Sequence, residues 1–101
     1  MVRWFLLTLM LAMPASAETV QGRARVIDGD TLAIGAVHVR LAGIDAPERG
    51  QLCTDERGRA WPCGARATER LRGLIGRGEV RCEGAEHDRY DRLVGTCAAD
   101  G

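Results

Sequence analysis

The chain contains no lysine: all 14 basic residues are arginine, they face 14 acidic residues, and the formal net charge is zero. A neutral chain has no bulk attraction for polyanions, so any phosphate binding must come from locally placed arginines. Aromatic residues are scarce, being Trp4, Phe5, Trp61 and Tyr90. That scarcity argues against a binding module built on stacked aromatics along a basic groove. Histidine occurs only at positions 38 and 87, and no two of the cysteines stand two to four residues apart. A zinc site is therefore disfavoured.

No apolar run reaches the ~20 residues that a membrane-spanning helix needs. The longest, Trp4 to Met13, is broken by Thr8, follows Arg3 and leads into Pro14-Ala15-Ser16-Ala17. A positive start, a short apolar stretch and small residues before a cut form the layout of a secretory signal, with cleavage expected after Ala17. No cysteine follows that point, so a lipid anchor is not suggested. The expected product is secreted or periplasmic, free of the membrane, and consists of residues 18–101 as one small domain. It keeps 13 arginines against 14 acidic residues, a net charge of −1.

Four cysteines, Cys53, Cys63, Cys82 and Cys97, lie in this exported part. In an oxidising compartment an even count reads as two disulfides with three possible pairings. Cys53–Cys63 would close a loop and Cys82–Cys97 would tie two strands together. That is the pairing expected.

From Val20 to Gly43 the pattern is that of strands. Arg23 to Ile27 leads into an Asp28-Gly29-Asp30 turn, Thr31 to Ile34 follows, and Gly35-Ala36 turns into Val37 to Ala42. Val37, Val39 and Leu41 share one face of the last run, and His38 and Arg40 the other. Three short strands joined by tight turns make a meander, the beginning of a small barrel. Residues 49–64 read as loop. A helix is expected from about Ala65 to Ile75, with Ala67, Leu71, Leu74 and Ile75 on its apolar face. Glu69 on the other face can pair with Arg66 and Arg72, and Gly76 and Gly78 end the helix. Two further strands, Glu79 to Glu83 and Leu93 to Ala98, flank a polar turn over residues 84–92.

Three clusters carry potential chemistry. Asp28-Gly29-Asp30-Thr31 brings two carboxylates to a turn, which suits a hard cation such as calcium, although Asp and Gly are common turn residues anyway. Arg40-Leu41-Ala42-Gly43-Ile44-Asp45-Ala46-Pro47-Glu48 puts an arginine at a strand end and two carboxylates just beyond it. Alone it could be a surface ion pair. Asp88-Arg89-Tyr90-Asp91-Arg92 is charged and, alone, reads as a solvated turn.

In order and spacing, these three clusters together resemble the staphylococcal nuclease (thermonuclease) family over about Val20 to Gly101. The resemblance implies a β-rich fold, a five-stranded OB-type barrel with a helix packed on it. It implies that Asp30 and Asp45 are calcium carboxylates and that the Ala46 carbonyl is a backbone ligand. Arg40 and Arg92 would hold the scissile phosphate, Glu48 would be the general base, Asp28 would border the metal site and Tyr90 would lie beside the phosphate. The implied activity is hydrolysis of DNA or RNA to 3′-phosphate ends by a monomer. Family members run on beyond the position of Gly101 through further helices, so an incomplete C-terminal side is expected. Two other readings stand beside the nuclease: a non-catalytic OB-type nucleic-acid-binding module, and an inactive truncated remnant. Mass spectrometry of exported material should find an N-terminus at Glu18 and no thiol that alkylates before reduction.

Overall fold

A computed structural model of the chain describes residues 16–100, so all but Ser16 and Ala17 of the expected leader lie outside the described residues. The meander is present as β1 (Glu18–Asp28), β2 (Thr31–Ile34) and β3 (Val37–Leu41). Strand β1 is longer than the Arg23 to Ile27 run in the sequence pattern, and it serves two neighbours. Its first part, Glu18 to Arg23, pairs with β6 (Glu79–His87), and Ala24 to Asp28 pairs with β2. One strand shared in this way must bend, and bending lets a short sheet curl on itself.

Closure comes from β3 and β7 (Leu93–Ala99), which pair in parallel through Val39↔Leu93, Arg40↔Val94 and Leu41↔Gly95. The strands run β1-β2-β3-β7-β6 around a closed barrel, the OB-type arrangement expected. Inward-facing residues of all five strands fill it: Val26, Leu32, Ile34, Val39, Leu41, Val80, Cys82 and Leu93, with Ile75 of the helix closing one side. Burial of large aliphatic side chains contributes roughly 1.5–3 kcal/mol each relative to exposure. Such a core is modest, and disulfides supplement it. Cys82 lies directly across from Cys97 in the β6–β7 ladder, and the two are bonded; Cys53 is bonded to Cys63. Both pairings are as expected.

Five local expectations are corrected. The helix α1 spans Cys63–Ile75, two residues earlier than Ala65, because Gly64 packs its first turn directly against the backbone of the preceding loop. Its inner face carries Gly64, Thr68 and Ile75, all buried, whereas Leu74 is 62 % exposed. Thr68 can be buried because its hydroxyl donates to the Gly64 carbonyl one turn back, 2.9 Å away. Among the described residues Glu69 pairs with Arg72 and not with Arg66. The loop over residues 49–64 contains a small hairpin, β4 (Cys53–Thr54) with β5 (Ala60–Trp61). Finally, β6 runs on to His87 past a bulge between Glu83 and Glu86, so the polar turn is confined to residues 88–92. No helix among the described residues is long and apolar enough to cross a membrane.

Leu93 and Val39, both fully buried, form the first rung of the closing parallel pair. Leu93→Ala should lower the unfolding free energy by ~2–5 kcal/mol in a urea titration under non-reducing conditions. A loss below that range would mean that the barrel relaxes into the vacated space.

Candidate active site

The parallel pairing of β3 with β7 brings the three sequence clusters to one end of the barrel. Asp30, last residue of the β1–β2 turn, is buried, and both its carboxylate oxygens are engaged. Oδ1 accepts from the Thr31 hydroxyl at 2.9 Å, and Oδ2 accepts from the Ala46 backbone N–H at 3.0 Å. A buried carboxylate is costly unless so satisfied. The Ala46 bond also pins the loop after β3 against the turn. Gly29 makes this approach possible: a Cβ there would stand 2.8 Å from the Ala67 Cβ of α1 and 2.9 Å from the Ala46 Cβ.

Arg40 stands opposite Thr31 in the β2–β3 ladder. Its Nη1 donates to the carbonyls of Leu41 and Ile44, which folds the loop beyond β3 around the guanidinium. Nη1 also lies 3.6 Å from Asp30 Oδ2, and Nη2 lies 3.6 Å from Asp45 Oδ1. One guanidinium thus spans the two carboxylates. Asp45 is almost fully exposed while Arg40 is half-buried, so the cluster opens to solvent on the Asp45 side.

The turn over residues 88–92 is organised by Asp88. Its Oδ1 accepts the N–H groups of Tyr90 and Arg92 at 2.9 and 3.0 Å, and its Oδ2 accepts Arg92 Nε at 2.6 Å. Asp91 adopts a φ of 62°, a left-handed conformation that Asp tolerates better than most residues. From this turn Arg92 reaches Thr31, with Nη1 3.4 Å from its hydroxyl, so Thr31 links Arg92 to Asp30. Tyr90 is exposed, and the guanidinium carbons of Arg89 and Arg92 lie 4.9 and 5.3 Å from its ring centre.

Glu48 sits in the loop between β3 and β4. Its N–H donates to Gln51 Oε1 at 3.2 Å, and its carbonyl presses so closely on Gly64 that a Cβ there would lie 1.7 Å away. Asp28 Oδ1 accepts the Arg49 N–H at 2.9 Å, tying the same loop to the β1–β2 turn. The Glu48 side chain is exposed and, among the described residues, takes part in no hydrogen bond or ion pair. It forms no pair with Arg40, so the surface ion pair left open by the sequence is not formed.

The family model described as staphylococcal nuclease homologue matches residues 38–101, more than half of the chain. The chain belongs to the staphylococcal nuclease family. It is 45 % identical over 95 residues to the succinoglycan biosynthesis protein ExoI of Rhizobium meliloti, covering 92 % of this chain and 50 % of that protein. To the micrococcal nuclease of Shigella flexneri it is 38 % identical over 95 residues, covering 90 % and 49 % respectively. To an uncharacterized endonuclease of Escherichia coli it is 33 % identical over 102 residues, covering 95 % and 60 %. The chain therefore spans about half the length of the first two relatives. No solved structure matches it significantly.

For this member of the staphylococcal nuclease family, Asp30, Arg40, Asp45 and Ala46 form one contact network, which Arg92 joins through Thr31. Tyr90 lies against Arg92, and Glu48 follows Asp45 and Ala46 on the same loop, two residues on from Ala46, without bonding to the network. Among the described residues no three His, Cys, Asp or Glu side chains converge as a ready-made ion cage. Sequence reasoning missed three supporting residues: Asp88, which orients Arg92; Thr31, which bridges; and Gly64, which seats the Glu48 loop. Asp88 carried a readable signal, since an Asp opening a tight turn accepts backbone N–H groups two residues on.

Two pKa shifts accompany the turn. The Asp88 carboxyl feels some desolvation, but the bonds from Arg92 and Tyr90 outweigh it and hold its pKa below the ordinary value. Its contribution to the fold is thus present above the ordinary carboxylate range and lost as pH falls through the lowered value. His87, just before the turn, has Nε2 2.9 Å from Glu18 Oε1, and that bond raises its pKa above 6.5 despite some desolvation, with Asp91 adding to the effect. Its stabilising pair is complete below the unfolded value and is lost as pH rises through the raised one. An NMR titration should therefore find the His87 ring with a midpoint above 6.5, returning toward that value in Glu18→Gln.

Proposed function

We propose that this chain is an exported, monomeric, calcium-supported nuclease that hydrolyses phosphodiester bonds of DNA or RNA. The observation that carries this reading is the pairing of two restrained arginines, Arg40 and Arg92, around the Asp30–Thr31 segment with an unpartnered Glu48 carboxylate on the adjoining loop. A phosphodiester is anionic, and attack on phosphorus adds charge to its equatorial oxygens. Arginine forks offset that charge and can match two oxygens at once. In Arg40, Nη1 is committed to backbone carbonyls and Nη2 lies 3.6 Å from the exposed Asp45 carboxylate, so Nε is left for the substrate, joined by Nη2 where the phosphate displaces Asp45. In Arg92, Nε is held by Asp88 and Nη1 approaches Thr31, which leaves Nη2.

The remaining roles belong to the same proposal. Glu48 takes a proton from a water that attacks phosphorus in line with the leaving oxygen. The phosphorus–oxygen bond to that oxygen breaks, and the leaving alkoxide is protonated from solvent. A base must not be neutralised by a tight ion pair, and among the described residues the Glu48 carboxylate has none. Tyr90, held against Arg92, lines the approach to the phosphate. Asp30, Asp45 and the Ala46 carbonyl are hard oxygen donors of the kind calcium takes, and the exposed Asp45 side leaves room for waters to complete the shell. When bound there, calcium supplies further positive charge beside the phosphoryl oxygens.

The name of the Shigella flexneri relative favours nuclease activity; the name of the Rhizobium meliloti relative specifies no reaction. A non-catalytic binding module would have no use for two arginines and a free carboxylate in this arrangement. A zymogram on nucleic acid should show activity with calcium, poor activity with magnesium and none in excess chelator. Glu48→Gln, which keeps shape but loses the proton acceptor, should cost ~10²–10⁴-fold in turnover with thermal stability unchanged. Arg40→Lys should lower turnover as well, because the fork is lost while the charge stays. If Glu48→Gln matches the wild type, Glu48 is not the base.

A further inference from the structure

The β4–β5 hairpin plays no part in the reaction just described, yet it is built as firmly as the site beside it. Asp55 locks its tip: Oδ1 accepts the N–H groups of Arg57 and Arg59 at 2.8 and 2.9 Å, and Oδ2 lies 3.2 Å from Arg59 Nε. Its base is locked by the Cys53–Cys63 bond, and Cys53 pairs across the hairpin with Trp61. Trp61, the one tryptophan among residues 16–100, is 43 % exposed. With Thr54, Asp55, Glu56, Arg57 and Arg59 it lines an open recess of about 650 Å³. Large aromatics are ordinarily covered, and this one is held rigidly with part of its surface in solvent.

Its position relative to Glu48 is constrained by the chain. Trp61 precedes Gly64 by three residues, and Gly64 is the residue against which the Glu48 carbonyl is pressed. Three residues reach at most ~11 Å, about three nucleotides at the ~3.4 Å rise of a stacked strand. The recess carries Asp55 and Glu56 against Arg57 and Arg59, so its formal charges cancel. A polyanion gains little from charge there. What the recess offers is the indole face, on which any base can stack.

We propose that Trp61 is a base-stacking contact that holds the substrate strand a few nucleotides from the bond to be cut, with the disulfide-tied hairpin as its mount. This rests on the nuclease reading above, and the test separates the two. In the full chain carrying Trp4→Phe and Glu48→Gln, Trp61 is the sole indole, and a short all-thymidine oligonucleotide with calcium should quench its fluorescence saturably. In an otherwise unaltered chain, Trp61→Ala should raise KM for that oligonucleotide roughly tenfold, the order expected for loss of one stacked base, with kcat falling less than KM rises. Trp61→Phe should recover most of the loss, and a dinucleotide substrate, too short to reach the hairpin, should show a far smaller change in KM. If the chain cuts the oligonucleotide while Trp61 fluorescence and the Trp61→Ala KM stay unchanged, the stacking contact is refuted and the nuclease reading survives. If the oligonucleotide is neither cut nor bound, both fall.

Discussion

The parallel pairing of β3 with β7 is the contact on which the rest of the molecule depends. Without it, β1, β2 and β3 form an open meander, and β6 with β7 a separate hairpin held to it only along β1. The pairing joins residues about 54 positions apart, Val39 with Leu93 and Leu41 with Gly95, and such long closures cost chain entropy before any contact offsets them. Burial of Val39 and Leu93 supplies part of that offset. The functional consequence is geometric. Arg92, the residue before β7, can reach Thr31 only because its strand lies beside β3, and β3 beside β2.

Each arginine of the site is held by carboxylates in a chain with no net charge to spare. Arg40 lies between Asp30 and Asp45 and wraps two backbone carbonyls, and Arg92 is bonded to Asp88. Exposed ion pairs contribute ~0–1 kcal/mol to stability, so these contacts matter chiefly for position. A guanidinium whose orientation is set before substrate arrives loses less freedom when it meets a phosphate. The absence of lysine is consistent with this use of planar forks in place of flexible point charges.

Disulfides rigidify two separate regions, one within the barrel wall and one outside it. Cys82–Cys97 ties the last two strands across one rung, and Cys53–Cys63 fastens the hairpin to the start of α1 next to the Glu48 loop. Gly64 completes that fastening, because only a residue without a Cβ lets the helix approach the Glu48 carbonyl so closely. The loop bearing the candidate base is thereby positioned by a bond and a close packing contact, neither of which belongs to the barrel.

Strand alternation, turn residues and cluster spacing made the meander, the helix and both disulfides legible in the sequence, because each rests on interactions between near neighbours or on one oxidised pairing. The resemblance of the three clusters to the staphylococcal nuclease family singled out Asp30, Arg40, Asp45, Glu48 and Arg92. Helical periodicity puts Leu74 on the inner face, where the structure leaves it exposed, and it says nothing of Thr68, whose burial depends on a hydroxyl satisfied one turn back. Residues 49–64 read as plain loop, since two-residue strands leave no alternation to detect. Which arginine meets which carboxylate, that Glu48 has no side-chain partner among the described residues, and that Trp61 is part-exposed were decided by tertiary structure alone. Those facts depend on backbone approach across segments distant in sequence, and local pattern contains no term for that distance.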